Sequence, residues 1–289
     1  MSTRKLTIGI YTHDDYDGVR YLIDSIRLND PDILSDIEFS IIDNCPGTPN
    51  SEAIIEYLKT AVKNVAFSYN AFGRYSNHIW RFEAVELAKT PYVVVVESKL
   101  QFAPGALKAL INFFDAGLDN GLIITGPRIK DDFSGVLTHF RYAWDGQFYG
   151  IAEKDERADT QTEAFEIEGL LPGLFAVRKD SFFKIPKGPF AGNGIYGEDV
   201  VLSLTNFVVK NKRALCLPAL KWSCRMVKTS GSAIPDSVLN RFHNYSTAFL
   251  LLDAKDKLTE LKSQFANSIS EERMSEIISK CKLSLNFKE

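Results

Sequence analysis

The stretch Tyr92-Val-Val-Val-Val-Glu-Ser-Lys-Leu-Gln-Phe102 decides the fold. Its four consecutive valines carry no polar alternation, so both faces of the segment are expected to be buried. That pattern belongs to a central strand of a covered, mostly parallel sheet. The apolar run ends in Glu97, Ser98 and Lys99. The carboxyl end of such a strand is where open α/β sheets bind ligands. A carboxylate and an ammonium placed there are costly to desolvate unless paired or in use. The alternative is a pair of rim charges in a solvated turn.

Outward from this strand, elements alternate. Leu6 to Tyr11 reads as a first strand, followed by the loop Thr12-His13-Asp14-Asp15. Val19 to Leu28 has helical apolar spacing. Phe39 to Ile42 is a second strand, ending in the turn formers Asp43-Asn44-Cys45-Pro46-Gly47. Ser51 is the expected cap of a helix through Val62. Val65 to Ser68 is a third strand, and Asn77 to Ala88 a helix. After the valines come a helix over Pro104 to Ala116, with proline in its first turn, and a strand over Leu122 to Thr125. This order predicts parallel strands joined by right-handed crossovers. The aromatic and then polar segment Asp131 to Thr162 reads as an antiparallel excursion or loop, and its part from Phe140 to Tyr149 as an acceptor lid. Strands are expected again at Phe165 to Glu168, Leu174 to Arg178 and Ala214 to Leu217. Beyond Gly231 the chain reads as three helices, Val238 to Asp253, Asp256 to Phe265 and Glu271 to Cys281. We therefore expect an α/β domain over 1–230 and a C-terminal helical extension over 231–289.

Composition narrows the function classes. The 289 residues are 45% hydrophobic and 25% charged, ordinary globular values. A net charge of -3 gives no electrostatic case for nucleic acid or an acidic membrane. Cys45, Cys216, Cys224 and Cys281 are scattered, without zinc spacing, and read as reduced thiols of a cytoplasmic protein. His13, His78, His139 and His243 show no metal spacing either. No apolar run approaches the roughly 20 residues of a membrane helix. The opening Met-Ser-Thr-Arg-Lys carries no apolar signal region. A soluble protein is expected, with at most peripheral membrane association.

Three strand ends converge on one sheet edge: Thr12 to Asp14, Asp43, and Glu97 to Lys99. Carboxylates so placed can bind a base or a ribose hydroxyl. For Asp43 the alternative is an Asx turn, which the following Pro46-Gly47 favours. Further on, Gly194-Ile195-Tyr196-Gly197 leads into Glu198-Asp199 at a helix start. There the acids are favourable through the helix dipole alone, while the glycines permit close approach of a substrate.

The order of these pieces resembles the family-2-like, nucleotide-sugar-dependent glycosyltransferases of the GT-A fold. The matching segments are Tyr11-Thr12-His13, Ile41-Ile42-Asp43-Asn44, Val96-Glu97-Ser98-Lys99 with Pro104-Gly105-Ala106-Leu107, Leu171 to Arg178, and Gly194 to Val200. The resemblance spans roughly residues 5 to 225. It implies an α/β, Rossmann-like domain that moves a sugar from a nucleoside-diphosphate donor to a glycan or other hydroxyl acceptor, with inversion. It assigns base recognition to Asp43, with Tyr11, Thr12 and His13 lining the same pocket. It places Glu97 at the first acid of the Asp-any-Asp motif, and Asp199, with Glu198 beside it, at the general base.

Two departures matter. The second acid of the motif is Lys99, which cannot ligate Mg²⁺ or Mn²⁺. Around the histidine expected after the closing strand stands Lys221-Trp222-Ser223-Cys224-Arg225. The expectation is therefore no metal cofactor, with Lys99 and Arg225 or Lys228 neutralising the diphosphate. Two alternatives stay open. One is a non-catalytic nucleotide-sugar or partner-binding module of the same fold. The other is transfer to modified DNA bases, as in phage-type DNA glycosyltransferases, through a basic groove of Arg128, Lys130, Arg141, Lys221, Arg225 and Lys228; the acidic net charge does not favour it.

Overall fold

The computed structural model describes residues 4–61, 65–71, 79–129, 136–137, 139–144, 148–153, 155–167, 170, 173–182, 214–224, 237–251, 253 and 255–285. In chain order the first half comprises β1 (Leu6–Thr12), α1 (Tyr16–Asn29), β2 (Ile37–Asp43), α2 (Pro49–Ala61), β3 (Ala66–Ala71), α3 (Ile79–Leu87), β4 (Tyr92–Glu97), β5 (Leu100–Phe102) and α4 (Ala106–Asp115). There follow β6 (Ile124–Thr125), β7 (Arg128–Ile129), β8 (Val136–Leu137), β9 (His139–Trp144), β10 (Phe148–Glu153), α5 (Arg157–Thr160), β11 (Phe165–Ile167), β12 (Leu174–Arg178) and α6 (Lys179–Phe182). Last come β13 (Ala214–Cys216), β14 (Trp222–Cys224), α7 (Ser237–Leu251), α8 (Lys255–Phe265) and α9 (Glu271–Leu285).

The main sheet has the order β11-β13-β6-β12-β4-β1-β2-β3. Strands β3, β2, β1 and β4 run parallel. Strand β12 is antiparallel to both β4 and β6, so the sheet is mixed beyond β4. The sheet is thus the expected mostly parallel one, with antiparallel pairing brought in by β12 and β11. A strand buried on both faces has the same residue pattern in either direction, so direction is not encoded there. A smaller sheet, β5-β14-β7-β8, carries the chain just beyond β4. The aromatic excursion is in part an antiparallel hairpin of β9 and β10.

The four valines divide between two layers. Val94 and Val96 share one core with Ile8 and Ile10 of β1, Val19, Leu22, Ile23 and Ile26 of α1, and Leu107 and Leu110 of α4. Val93 and Val95 share another with Ala84 and Val85 of α3 and Phe175 of β12. All four are fully buried, each a gain of about 1.5–3 kcal/mol. Gly9 lets α3 lie against β1: a Cβ there would stand 2.9 Å from that of Ala84. Opposite the carboxyl edge, Arg178 stacks over Tyr92 and pairs with the buried Asp119 at 2.7 Å.

Two helix starts differ from expectation. Helix α2 begins at Pro49 and is capped by Thr48, whose Oγ1 accepts the Ser51 N–H at 3.2 Å. Helix α4 begins at Ala106; Pro104 lies outside it, and Gly105 takes a left-handed conformation and donates its N–H to the buried Asp30. Helices α7, α8 and α9 build a core of their own around Phe242, Phe249, Leu261 and Ile278. The boundary drawn between 230 and 231 lies outside the described residues. Among the described residues, no helix is long and apolar enough to cross a membrane.

Candidate functional site

Backbone register sets the site. Thr12 pairs with Asp43, and Tyr11 with Glu97, so β1, β2 and β4 end level with one another. The loops that leave them are tied back to the sheet. Asn44 N–H donates to the Thr12 carbonyl at 3.0 Å, and Ser98 N–H to the Tyr11 carbonyl at 2.9 Å. Glu97 N–H donates to the Gly173 carbonyl at 3.1 Å. Gly173 holds φ at 106°, a conformation that side-chain-bearing residues rarely adopt.

At the β2 end, Asp43 is buried. Its Oδ1 accepts the Cys45 N–H at 2.9 Å, and its Oδ2 accepts the Tyr69 hydroxyl. The first bond is the Asx turn weighed as the alternative, so that reading holds for Oδ1. The second bond ties the carboxylate to β3. Burial, then the bond to Asp43, pushes the Tyr69 phenol up to about 12. Asn44 Nδ2 donates to the Tyr11 hydroxyl at 3.0 Å and lies 3.1 Å from His13 Nδ1. Asn44 Oδ1 is buried without a hydrogen-bond partner. Cys45 Sγ lies 3.2 Å from the same His13 nitrogen. Burial, with Asp14 and Asp43 nearby, raises the thiol's pKa, so this is not an activated nucleophile.

At the β4 end, Lys99 Nζ and Glu97 Oε2 are 2.8 Å apart, with their side chains only 28% and 22% exposed. Burial works to deprotonate Lys99, but the Glu97 carboxylate outweighs it, and the ammonium pKa ends up raised. The reading of these residues as solvated rim charges does not hold. Between them, Ser98 donates its hydroxyl to Asp15 Oδ2 at 2.6 Å, while Asp15 Oδ1 caps α1 through the Gly18 N–H at 3.0 Å. The motif and the first helix are thus fixed to one carboxylate.

Tyr11, Thr12, His13, Asp43, Glu97 and Lys99 therefore share one edge of the sheet. Glu198, Asp199 and Arg225 lie outside the described residues. Sequence reasoning missed Asp15 and Tyr69 as neighbours of this edge, and read Arg128 only as part of a basic groove. Asp15 carried a readable signal, an acid ahead of a helical apolar pattern; Tyr69 carried none. Among the described residues, no three His, Cys, Asp or Glu side chains are grouped to hold a metal ion. What the edge offers is a hydrogen-bonded cluster around Asp43 and, at the end of β4 on the same edge, a partly buried cation.

Comparison with solved structures shows the same architecture in glycosyltransferases. GalNAc-T7, solved with UDP, GalNAc and Mn²⁺, is 15% identical with a TM-score of 0.68, over 97% of this chain and 55% of that one. TarS 1-349 of S. aureus with UDP-GlcNAc is 13% identical with a TM-score of 0.59, over 99% and 73%. The mannosyltransferase PcManGT of Pyrobaculum calidifontis, with GDP-Man and Mn²⁺, is 13% identical with a TM-score of 0.56, over 97% and 80%. The chain thus spans little more than half the length of the GalNAc-T7 structure. No curated protein matches the sequence. The model of "Glycosyl transferase family 2" matches residues 7–185, from the second residue of β1 through β12, and includes every described site residue. The chain belongs to glycosyl transferase family 2 and has the GT-A fold of that family.

Proposed function

We propose that this chain transfers a sugar from a nucleoside-diphosphate donor to an acceptor hydroxyl, with inversion and without a divalent metal. The observation that carries this reading is the Glu97–Lys99 ion pair at the end of β4, level with Tyr11 and on the same edge as Asp43. The donor's base sits against Asp43, Tyr69 and Asn44, whose buried Oδ1 offers an unused acceptor. The diphosphate lies towards Lys99. In the transfer, the acceptor oxygen forms a bond to the anomeric carbon, and its proton passes to the Asp199 carboxylate. The bond from the anomeric carbon to the diphosphate oxygen breaks, the electron pair stays on that oxygen, and the nucleoside diphosphate leaves. Lys99 stabilises the charge that develops there.

A divalent cation does not fit the described residues at this point. Two of the similar structures hold Mn²⁺, but here the place of a second acidic ligand is taken by an ammonium 2.8 Å from Glu97. Mg²⁺ and Mn²⁺ require hard oxygen donors, which lysine does not supply.

UDP-GlcNAc and GDP-mannose, the donors held by two of the similar structures, are the first probes. A donor present at about 100 times its Kd should stabilise the fold by about 2.7 kcal/mol. Thermal stabilisation and sugar release should both persist in EDTA. Loss of both in EDTA, restored by Mn²⁺, would contradict the reading.

A further inference from the structure

We propose that Arg128 is a second cation for the donor's diphosphate, working beside Lys99 from the small sheet. The inference rests on the nucleotide-sugar reading above and deepens it.

The geometry begins with Trp222 on β14. This residue pairs with Phe102 of β5 on one side and with Arg128 of β7 on the other. The indole is buried, and its Nε1 donates to the Gly126 carbonyl at 2.8 Å, so the ring is fixed. The Arg128 guanidinium lies over that ring, 5.8 Å from its centroid. The far edge of the indole is 3.9 Å from where a Cβ on Gly173 would stand, and the Gly173 carbonyl accepts the Glu97 N–H. Trp222 thus forms a rigid shelf from Arg128 to the strand end that carries Glu97 and Lys99.

The charges at this shelf do not balance. Arg128 Nε is buried and has no hydrogen-bond partner. No carboxylate among the described residues pairs with this guanidinium. Glu97 is taken by Lys99 at 2.8 Å. Buried donors are nearly always satisfied, and a half-buried cation without a counter-ion is a cost that packing alone does not explain. Strand β14 lies between β5, which directly follows Lys99, and β7, which carries Arg128, so the two cations belong to the same small sheet region, and Lys99 feels the repulsion of Arg128. A compact anion carrying at least two negative charges would satisfy both. A guanidinium matches phosphate oxygens in a planar fork, and an ammonium meets them as a point charge. A diphosphate lying between the two uses both modes.

The test compares wild type with Arg128→Gln and Arg128→Lys. UDP and GDP are titrated by calorimetry, each beside its own nucleoside, in EDTA. Wild type should bind one diphosphate far better than its nucleoside. Arg128→Gln should weaken the diphosphate on the order of 10- to 100-fold and leave the nucleoside unchanged. Arg128→Lys should fall between. The ligand-free melting temperature of Arg128→Gln should equal or exceed that of wild type, because an unpaired charge has been removed. If Arg128→Gln binds the diphosphate as wild type does, or only lowers the ligand-free melting temperature, the role given to Arg128 is wrong and the donor reading stands. If wild type does not distinguish either diphosphate from its nucleoside, the donor reading itself fails, and this inference with it.

Discussion

Lys99→Met should lower turnover at saturating donor by about 10²- to 10³-fold, the loss seen when one donor to a developing oxyanion is removed. The leaving diphosphate gains charge in the transition state, and Lys99 is the only cation of the described β4 end that is already held by a partner. Its pairing with Glu97 fixes the ammonium before the donor arrives, so no reorganisation is needed during the reaction. The methionine keeps most of the side-chain volume, so packing is preserved. What it leaves behind is a partly buried carboxylate without a cation, which lowers stability. The double substitution Lys99→Met with Glu97→Gln removes both charges and should recover stability but not turnover. A purely structural ion pair would give the opposite pattern, with turnover recovering as stability does. Steady-state kinetics and thermal melts of wild type, Lys99→Met, Glu97→Gln and the double variant decide between them.

Asp199→Asn should reduce turnover by about 10²- to 10⁴-fold, the range for loss of a positioned general base. Donor affinity should stay within a factor of about two, since in the proposed mechanism this carboxylate takes the proton of the acceptor hydroxyl and makes no bond to the nucleotide. The amide is nearly isosteric with the carboxylate, so the change tests chemistry and not shape. The same variant separates a transferase from a module that only binds nucleotide sugars. A binding module would show no turnover in the wild type either, and the same donor affinity in both.

How far the site could be read from sequence followed from how each residue acts. The valine run of β4 was legible because a strand buried on both faces needs five or six apolar residues in a row, and nothing else there fits. The convergence of Thr12, Asp43 and Glu97 followed from parallel order alone, since parallel strands end on one side. Strands β5, β7 and β14 have two or three residues each and show no period to detect. Arg128 and Trp222 were therefore not placed beside Lys99, although the pairing of those strands brings them there. Tyr69 lies 26 positions from Asp43, and only the pairing of β2 with β3 joins them. The cap of α2 was misplaced by three residues because Ser51 and Thr48 are both hydroxyl residues. Pro49, suited to a first helical position, was the signal that favours Thr48. For Asp43 the turn reading holds, with one oxygen taken by the Cys45 N–H and the other by the Tyr69 hydroxyl.

The most direct measurement is a crystal structure grown with UDP or GDP in EDTA. The base should lie against Asp43 and Tyr69, with the diphosphate between Lys99 and Arg128. A nucleotide that orders only with Mn²⁺, with the metal bound at Glu97 and Lys99 turned away, would contradict the account.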